Sequence, residues 1–181
     1  LNTVRVAFIG VGARGSGHAK QIAAIEGTEV VGISDLYTDL AEKSSFNCQE
    51  AGNGKRHKNI AIYSGAEDKW KAMLDEVKPD AVFISTNWDN HAPMAIETMK
   101  SGAHAFVEVP MATNIDDLWN IVNTSEKTRK HCMMMENVNY GRDELMYLNM
   151  CRKGVIGEFL HAEAAYICLL YTSPSPRDVS T

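Results

Sequence analysis

Val4-Arg5-Val6-Ala7-Phe8-Ile9-Gly10-Val11-Gly12-Ala13-Arg14-Gly15 is the stretch that decides how this chain folds. An apolar, β-branched run ends directly on glycines in the spacing GxGxxG, and each glycine answers a different physical need. Gly10 permits a tight turn, Gly12 lets backbone approach a pyrophosphate, and Gly15 brings the next helix close to the sheet. That helix would aim its N-terminal amides at the phosphates. A second apolar run, Glu29–Ser34, is closed by Asp35 about twenty residues after Gly15, where a carboxylate accepts both hydroxyls of an adenosine ribose and repels a 2′-phosphate. Strand, glycines, helix, strand and acid in this order predict a dinucleotide site that prefers NAD to NADP.

Working outward, strand-like runs recur at Arg5–Ile9, Glu29–Ser34, Ile60–Tyr63, Ala81–Ser85, Ala105–Glu108 and Cys132–Glu136. Helix-patterned segments separate them at Ser16–Ile25, Thr38–Glu50, Ala66–Glu76 and Pro93–Ser101. Another follows Asn114, a predicted N-cap, with Ile115, Leu118, Trp119 and Val122 at helical spacing and Asp116 and Asp117 in the first turn. A last helix over Arg142–Arg152 is closed by Gly154. Alternation of this kind predicts an α/β doubly wound parallel sheet, the Rossmann architecture. The run Met133-Met134-Met135 reads as part of a doubly buried sixth strand. The basic run Lys55-Arg56-His57-Lys58 reads as a solvated loop between turn residues.

Residues 1–153 are expected to form the nucleotide-binding domain. Gly157–Tyr166 reads as one further strand, which cannot bury a face by itself, so 154–167 is expected to begin a truncated α+β substrate domain. From Cys168 the string Cys-Leu-Leu-Tyr-Thr-Ser-Pro-Ser-Pro-Arg-Asp back-translates onto a transposase sequencing adaptor. Residues 168–181 are therefore read as a non-native tail and excluded from fold reasoning.

A net charge of −5 over 181 residues argues against nucleic acid or an anionic membrane as partner. No stretch is apolar for long enough to span a bilayer. No signal peptide is legible behind Leu1, which leaves the compartment open between cytoplasm and export by a leader upstream. Cys48, Cys132, Cys151 and Cys168 show no metal-ligand spacing, so they are read as buried thiols and no metal is expected.

In an open parallel sheet the ligand lies across the carboxyl ends of the strands. The residues expected there are polar and aromatic: Thr86-Asn87-Trp88-Asp89-Asn90-His91 after the fourth strand, Glu108-Val109-Pro110 after the fifth, and Asn137-Val138-Asn139-Tyr140-Gly141-Arg142 after the sixth. Any one cluster could be loop capping, with Asn90 or His91 merely starting a helix; three on one edge predict a site.

Across residues 4–167 the chain resembles the Gfo/Idh/MocA oxidoreductase-like family, and within it the family 109 glycoside hydrolases of α-N-acetylgalactosaminidase type. The resemblance is carried by FIGVGARGSGH at 8–18, WDNH at 88–91, FVEVP at 106–110, ENVNYGR at 136–142 and GVIGEFLHAEAAY at 154–166. It implies NAD contacts from the turn Gly10, Gly12, Ala13, Arg14 and Gly15, from Asp35, and from Trp88, Asp89, Asn90 and His91. It places Glu108, Val109 and Asn137 around the nicotinamide half and Tyr166 at the substrate. A glycoside is the implied small-molecule substrate, with copies able to associate through the sheet of the further domain.

Dehydrogenases of this type usually carry Glu-Lys-Pro where this chain has Glu108-Val109-Pro110. Valine cannot move a proton, so the resemblance favours the hydrolytic branch, with an NAD-dependent sugar or cyclitol dehydrogenase as the alternative. The implied reaction oxidises the sugar transiently at C3, eliminates the glycosidic oxygen, adds water and reduces C3 again. Such chemistry needs no carboxylate pair flanking the scissile bond. Tyr140 is the candidate general base in the loop after the sixth strand, although its ring could equally pack beneath the site with its hydroxyl on backbone. His161 is weaker, a lone histidine on an alternating segment.

Overall fold

A computed structural model describes residues 3–52, 57–137 and 139–163. The elements run β1 (Val4–Ile9), α1 (Ala13–Ala24), β2 (Thr28–Asp35), α2 (Thr38–Ala51), β3 (Ala61–Ser64), α3 (Lys69–Val77), β4 (Ala81–Ile84), α4 (Trp88–Lys100), β5 (His104–Val107), α5 (Ile115–Thr128), β6 (Cys132–Met134) and α6 (Arg142–Arg152). The strands form one six-stranded sheet in the order β3-β2-β1-β4-β5-β6, and every pairing is parallel. This is the doubly wound Rossmann order, reversing direction at β1 and β4.

Two compact units divide the described residues, one up to Glu136 and one from Asn137. The first holds the whole sheet with α1 to α5, and α6 falls in the second. Alternate residues of β1 serve opposite faces. Val6 and Phe8 pack with Val30, Ile33, Ala19, Ala23 and Ala41 under α1 and α2. Ala7 and Ile9 pack with Val82, Ile84, Met73, Leu74, Ala95 and Met99 under α3 and α4. Small alanines on α1 let that helix lie close to the sheet, which brings its N-terminus onto the β1 turn.

Several expectations need correction. α4 begins at Trp88, inside the predicted loop, because Asn87 takes extended backbone as its N-cap. Pro93 thus sits within the helix instead of opening it. His57 is not solvated: it is buried, accepts from Val30 N at 2.9 Å on Nδ1 and lies 2.9 Å from Ala23 O through Nε2. This ring pins the start of β2 to the end of α1. Met133 and Met134 are 44% and 40% exposed, because β6 is the sheet edge and α5 touches it only in part; the strand is not doubly buried. Residues 157–163 form no strand, since an unpaired segment has nothing to satisfy its backbone. Among the cysteines, Cys48 is buried, Cys132 intermediate and Cys151 exposed. Burial pushes the Cys48 and Cys132 thiols up to about 11, so both are inert at neutral pH. The predicted cap of α5 is present, with Asn114 Oδ1 accepting from Asp117 N at 2.8 Å. The tail 168–181 lies outside the described residues.

Candidate dinucleotide-binding site

The turn from β1 into α1 is built around three glycines with three different surroundings. Gly10 has φ +81°, and a Cβ there would stand 2.6 Å from Ser85 O. A Cβ on Gly15 would collide with Gly10 O, so close packing of α1 on the turn requires hydrogen at that position. Around Gly12 a Cβ would meet nothing within 4 Å. The first two glycines are therefore demanded by the fold, while the third leaves open space at the helix end. Gly12 is also the N-cap of α1 and makes no side-chain cap. The first-turn amides of Ala13, Arg14 and Gly15 are consequently available to an anion.

Asp35 ends β2 and braces this turn. Its Oδ2 accepts from Val11 N at 2.7 Å and its Oδ1 from Tyr37 N at 3.0 Å. Each carboxylate oxygen keeps a further lone pair for a ribose hydroxyl. A cavity of about 370 Å³ opens from here, lined by Gly10, Gly12, Asp35, Leu36, Tyr37, Glu67, Trp70, Thr86, Asn87 and Asn90, among others. Open space at Gly12, uncapped amides and a carboxylate beyond them fit a pyrophosphate followed by a ribose.

The Trp88–His91 segment divides by role. Asn90 lines the cavity and its Nδ2 donates to Asn87 Oδ1 at 2.6 Å. His91 is buried, with Nδ1 2.6 Å from Pro110 O and Nε2 3.1 Å from Thr86 O. It thereby fastens the turn after β4 to the Glu108-Val109-Pro110 turn after β5. Trp88 and Asp89 are exposed in the first turn of α4 and outside the cavity lining.

Glu108 is 7% exposed and points back to α1. Its Oε1 accepts from Arg14 Nε at 3.0 Å and meets His18 Nε2 at 2.7 Å, while Oε2 accepts from Val109 N at 3.2 Å. Burial pushes this carboxyl up, but bonds from His18, Arg14 and the Val109 amide, with the Arg14 charge, hold it below its ordinary 4.5. The glycine turn and the Glu-Val-Pro turn are thus one electrostatic unit. The sequence reading missed His18. Its signal was its spacing: four residues after Arg14, it shares that residue's helical face. Also unforeseen were Glu67 and Trp70, which sit before and within α3 and reach the cavity only through the sheet order.

Asn137 and Tyr140 belong to the second unit. Tyr140 is 77% exposed, so its ring is not packed beneath anything described there. Tyr166 lies outside the described residues. No group of three or more metal-ligating side chains occurs among the described residues.

Residues 4–136 match the model of an oxidoreductase family with an NAD-binding Rossmann fold. The chain belongs to the Gfo/Idh/MocA family. NAD is the cofactor for which this domain is built. Among curated relatives, glycosyl hydrolase family 109 protein 1 of Akkermansia muciniphila is 59% identical over 92% of this chain and 34% of its own length. The family 109 protein of Shewanella pealeana is 53% identical over 92% of this chain and 36% of its own. The chain thus spans about a third of the length of these relatives. Among solved structures, myo-inositol 2-dehydrogenase from Lactobacillus plantarum superposes with a TM-score of 0.73 at 21% identity, over 87% of this chain and 43% of that one. The scyllo-inositol dehydrogenase of Lactobacillus casei, with bound NAD(H) and scyllo-inositol, gives 0.73 at 18%, over 86% and 43%. At these identities the likeness is one of fold. No helix among the described residues is long and apolar enough to cross a membrane.

Proposed function

We propose that this chain is the nucleotide-binding part of an NAD-dependent glycosidase acting on α-N-acetylgalactosaminides. The observation that carries the reading is Val109. It occupies the turn beside Glu108, where the oxidoreductases of this type have a proton-transferring lysine, and an isopropyl group can neither take nor give a proton. The names of the relatives above support the same branch.

The bound dinucleotide supplies a reversible electron-pair acceptor for the sugar carbon. Gly12 and the first-turn amides of α1 hold its pyrophosphate, and Asp35 holds the adenosine ribose while repelling a 2′-phosphate. Trp88, Asp89, Asn90 and His91 flank the cofactor, His91 through the Pro110 and Thr86 carbonyls it fastens. Glu108, pinned by Arg14 and His18, would set Val109 toward the nicotinamide half, for which Asn137 supplies an amide partner. Tyr140 serves as the base that takes the sugar C2 proton, and Tyr166 touches the sugar. Residues from 154 onward begin the domain that completes the substrate pocket, and copies associate through its sheet.

The test uses the protein that carries this chain together with its substrate domain. An aryl α-N-acetylgalactosaminide should release its aglycone without net NADH, and deuterium at sugar C2 should exchange into water during turnover. Steady NADH production from a free sugar or cyclitol, with no aglycone released, would replace this reading by a dehydrogenase.

A further inference from the structure

The cavity has more recognition chemistry than a ribose and phosphates require. With the pyrophosphate at Gly12 and the ribose at Asp35, the base must continue past Leu36 and Tyr37. The wall that faces it there comes from α3 and the turn before it. Trp70 is only 8% exposed and locked into the core with Met73 and Leu74, yet it also lines the cavity. Its indole Nε1–H has no hydrogen-bond partner among the described residues and is not one of the buried orphan atoms, so it stays able to donate to a molecule in the cavity. Glu67, on the same wall, is an exposed carboxylate and can only accept when ionised. A rigid donor beside an acceptor is the complement of adenine, which presents an amino donor at position 6 next to a ring-nitrogen acceptor.

We propose that Glu67 and Trp70 read the base of the dinucleotide, Glu67 accepting from the 6-amino group and the Trp70 indole N–H donating to the neighbouring ring nitrogen. This rests on the cofactor assignment above and adds selectivity for a 6-amino purine. A 6-oxo purine puts a carbonyl oxygen against the Glu67 carboxylate, so two acceptors face each other. Asn90 also lines the cavity, with one of its two amide N–H groups given to Asn87, and is the rival reader.

The experiment titrates the 181-residue chain calorimetrically with NAD and with nicotinamide hypoxanthine dinucleotide, its 6-oxo analogue. NAD should bind at least about tenfold more tightly, the size of one lost hydrogen bond plus an acceptor clash. Glu67→Gln should narrow the gap to less than about threefold, because an amide can turn its N–H toward a carbonyl. Trp70 is a core residue, so its arm needs a readout that a folding defect does not mimic. The indole N–H resonance absent from Trp70→Phe should move when the wild type binds NAD, and stay still with nicotinamide mononucleotide, which has no adenine. Equal affinity for the two dinucleotides overturns the inference and leaves the cofactor assignment standing. So does a preference erased by Asn90→Ala but retained in Glu67→Gln, or a Trp70 resonance indifferent to NAD. Failure to bind NAD at all overturns both.

Discussion

One row of side chains crosses the sheet through two different environments. Phe8, Phe83 and Phe106 occupy the same register on β1, β4 and β5, and Met133 extends it onto β6. The rings stack at 5.3 Å and 4.7 Å between centroids. At the β1 end Phe8 is 1% exposed beneath α1 and α2; at the β6 end Met133 is 44% exposed. The residues are equally apolar, and only the covering helices differ. The same contrast divides the helices. Every buried position of α1 is glycine or alanine, because the helix must press onto the turn that it serves. α5 buries only Ile121, while Ile115, Leu118, Trp119 and Val122 form an exposed stripe. The nucleotide half is assembled tightly around the glycine turn; the β5–β6 half leaves apolar surface open.

Substitutions can break or sharpen this comparison. The largest effect is expected at Gly15→Ala, whose new methyl would overlap Gly10 O. Stability should fall by more than about 3 kcal/mol in thermal unfolding. Gly12→Ala should leave the melting temperature within about 2 °C and yet weaken NAD binding at least about tenfold, because its methyl enters only the space reserved for phosphate. Equal behaviour of the two variants would erase the distinction between a glycine the fold needs and one the ligand needs.

Asp35→Ala removes the acceptor for the Val11 and Tyr37 amides and the charge that opposes a 2′-phosphate. It should cost about 1–3 kcal/mol and shift the NAD to NADP affinity ratio at least about tenfold toward NADP. An unchanged ratio in parallel titrations removes Asp35 from cofactor selection.

Glu108→Gln should cost about 1–2 kcal/mol at pH 7, since Arg14 is half exposed and solvent screens part of the pair. The Glu108 carboxyl is held below its ordinary 4.5 in the folded protein. Its contribution is therefore present above about pH 4.5 and lost as pH falls through the lower folded value. The gap between wild type and variant should begin to close as pH falls below about 4.5; a constant gap down to pH 3 would exclude the ionised carboxylate as the source.

The smallest effect belongs to the open half. Trp119→Glu on the exposed stripe should change the stability of this chain by less than about 0.5 kcal/mol. A loss of 2 kcal/mol or more in denaturant unfolding would show that the stripe is core and that the two halves are alike.

Period and punctuation alone were enough to read six parallel strands, the glycine turn, the Asp35 position and the Asn114 cap, because each depends on a handful of neighbouring residues. The turn after β1 follows from Gly10 at φ +81° and its immediate neighbours, and Asn114 caps by reaching a residue three positions on. The sequence pattern erred where the answer depended on what lies opposite. Met133 and the α5 stripe look like core in one dimension, yet burial is a property of two surfaces. His57 looks like part of a charged loop, but a folded neighbour supplies the Val30 amide and the Ala23 carbonyl that hold it. Trp88–His91 looks like loop until Asn87 caps it as helix. The pairing of Glu108 with Arg14 and His18 spans about ninety residues of sequence, and Trp70 meets the cavity only because β3 lies beside β2. Local backbone chemistry is written in the order of residues; which side chains share one dielectric and one cavity is settled only when the sheet sets its strand order.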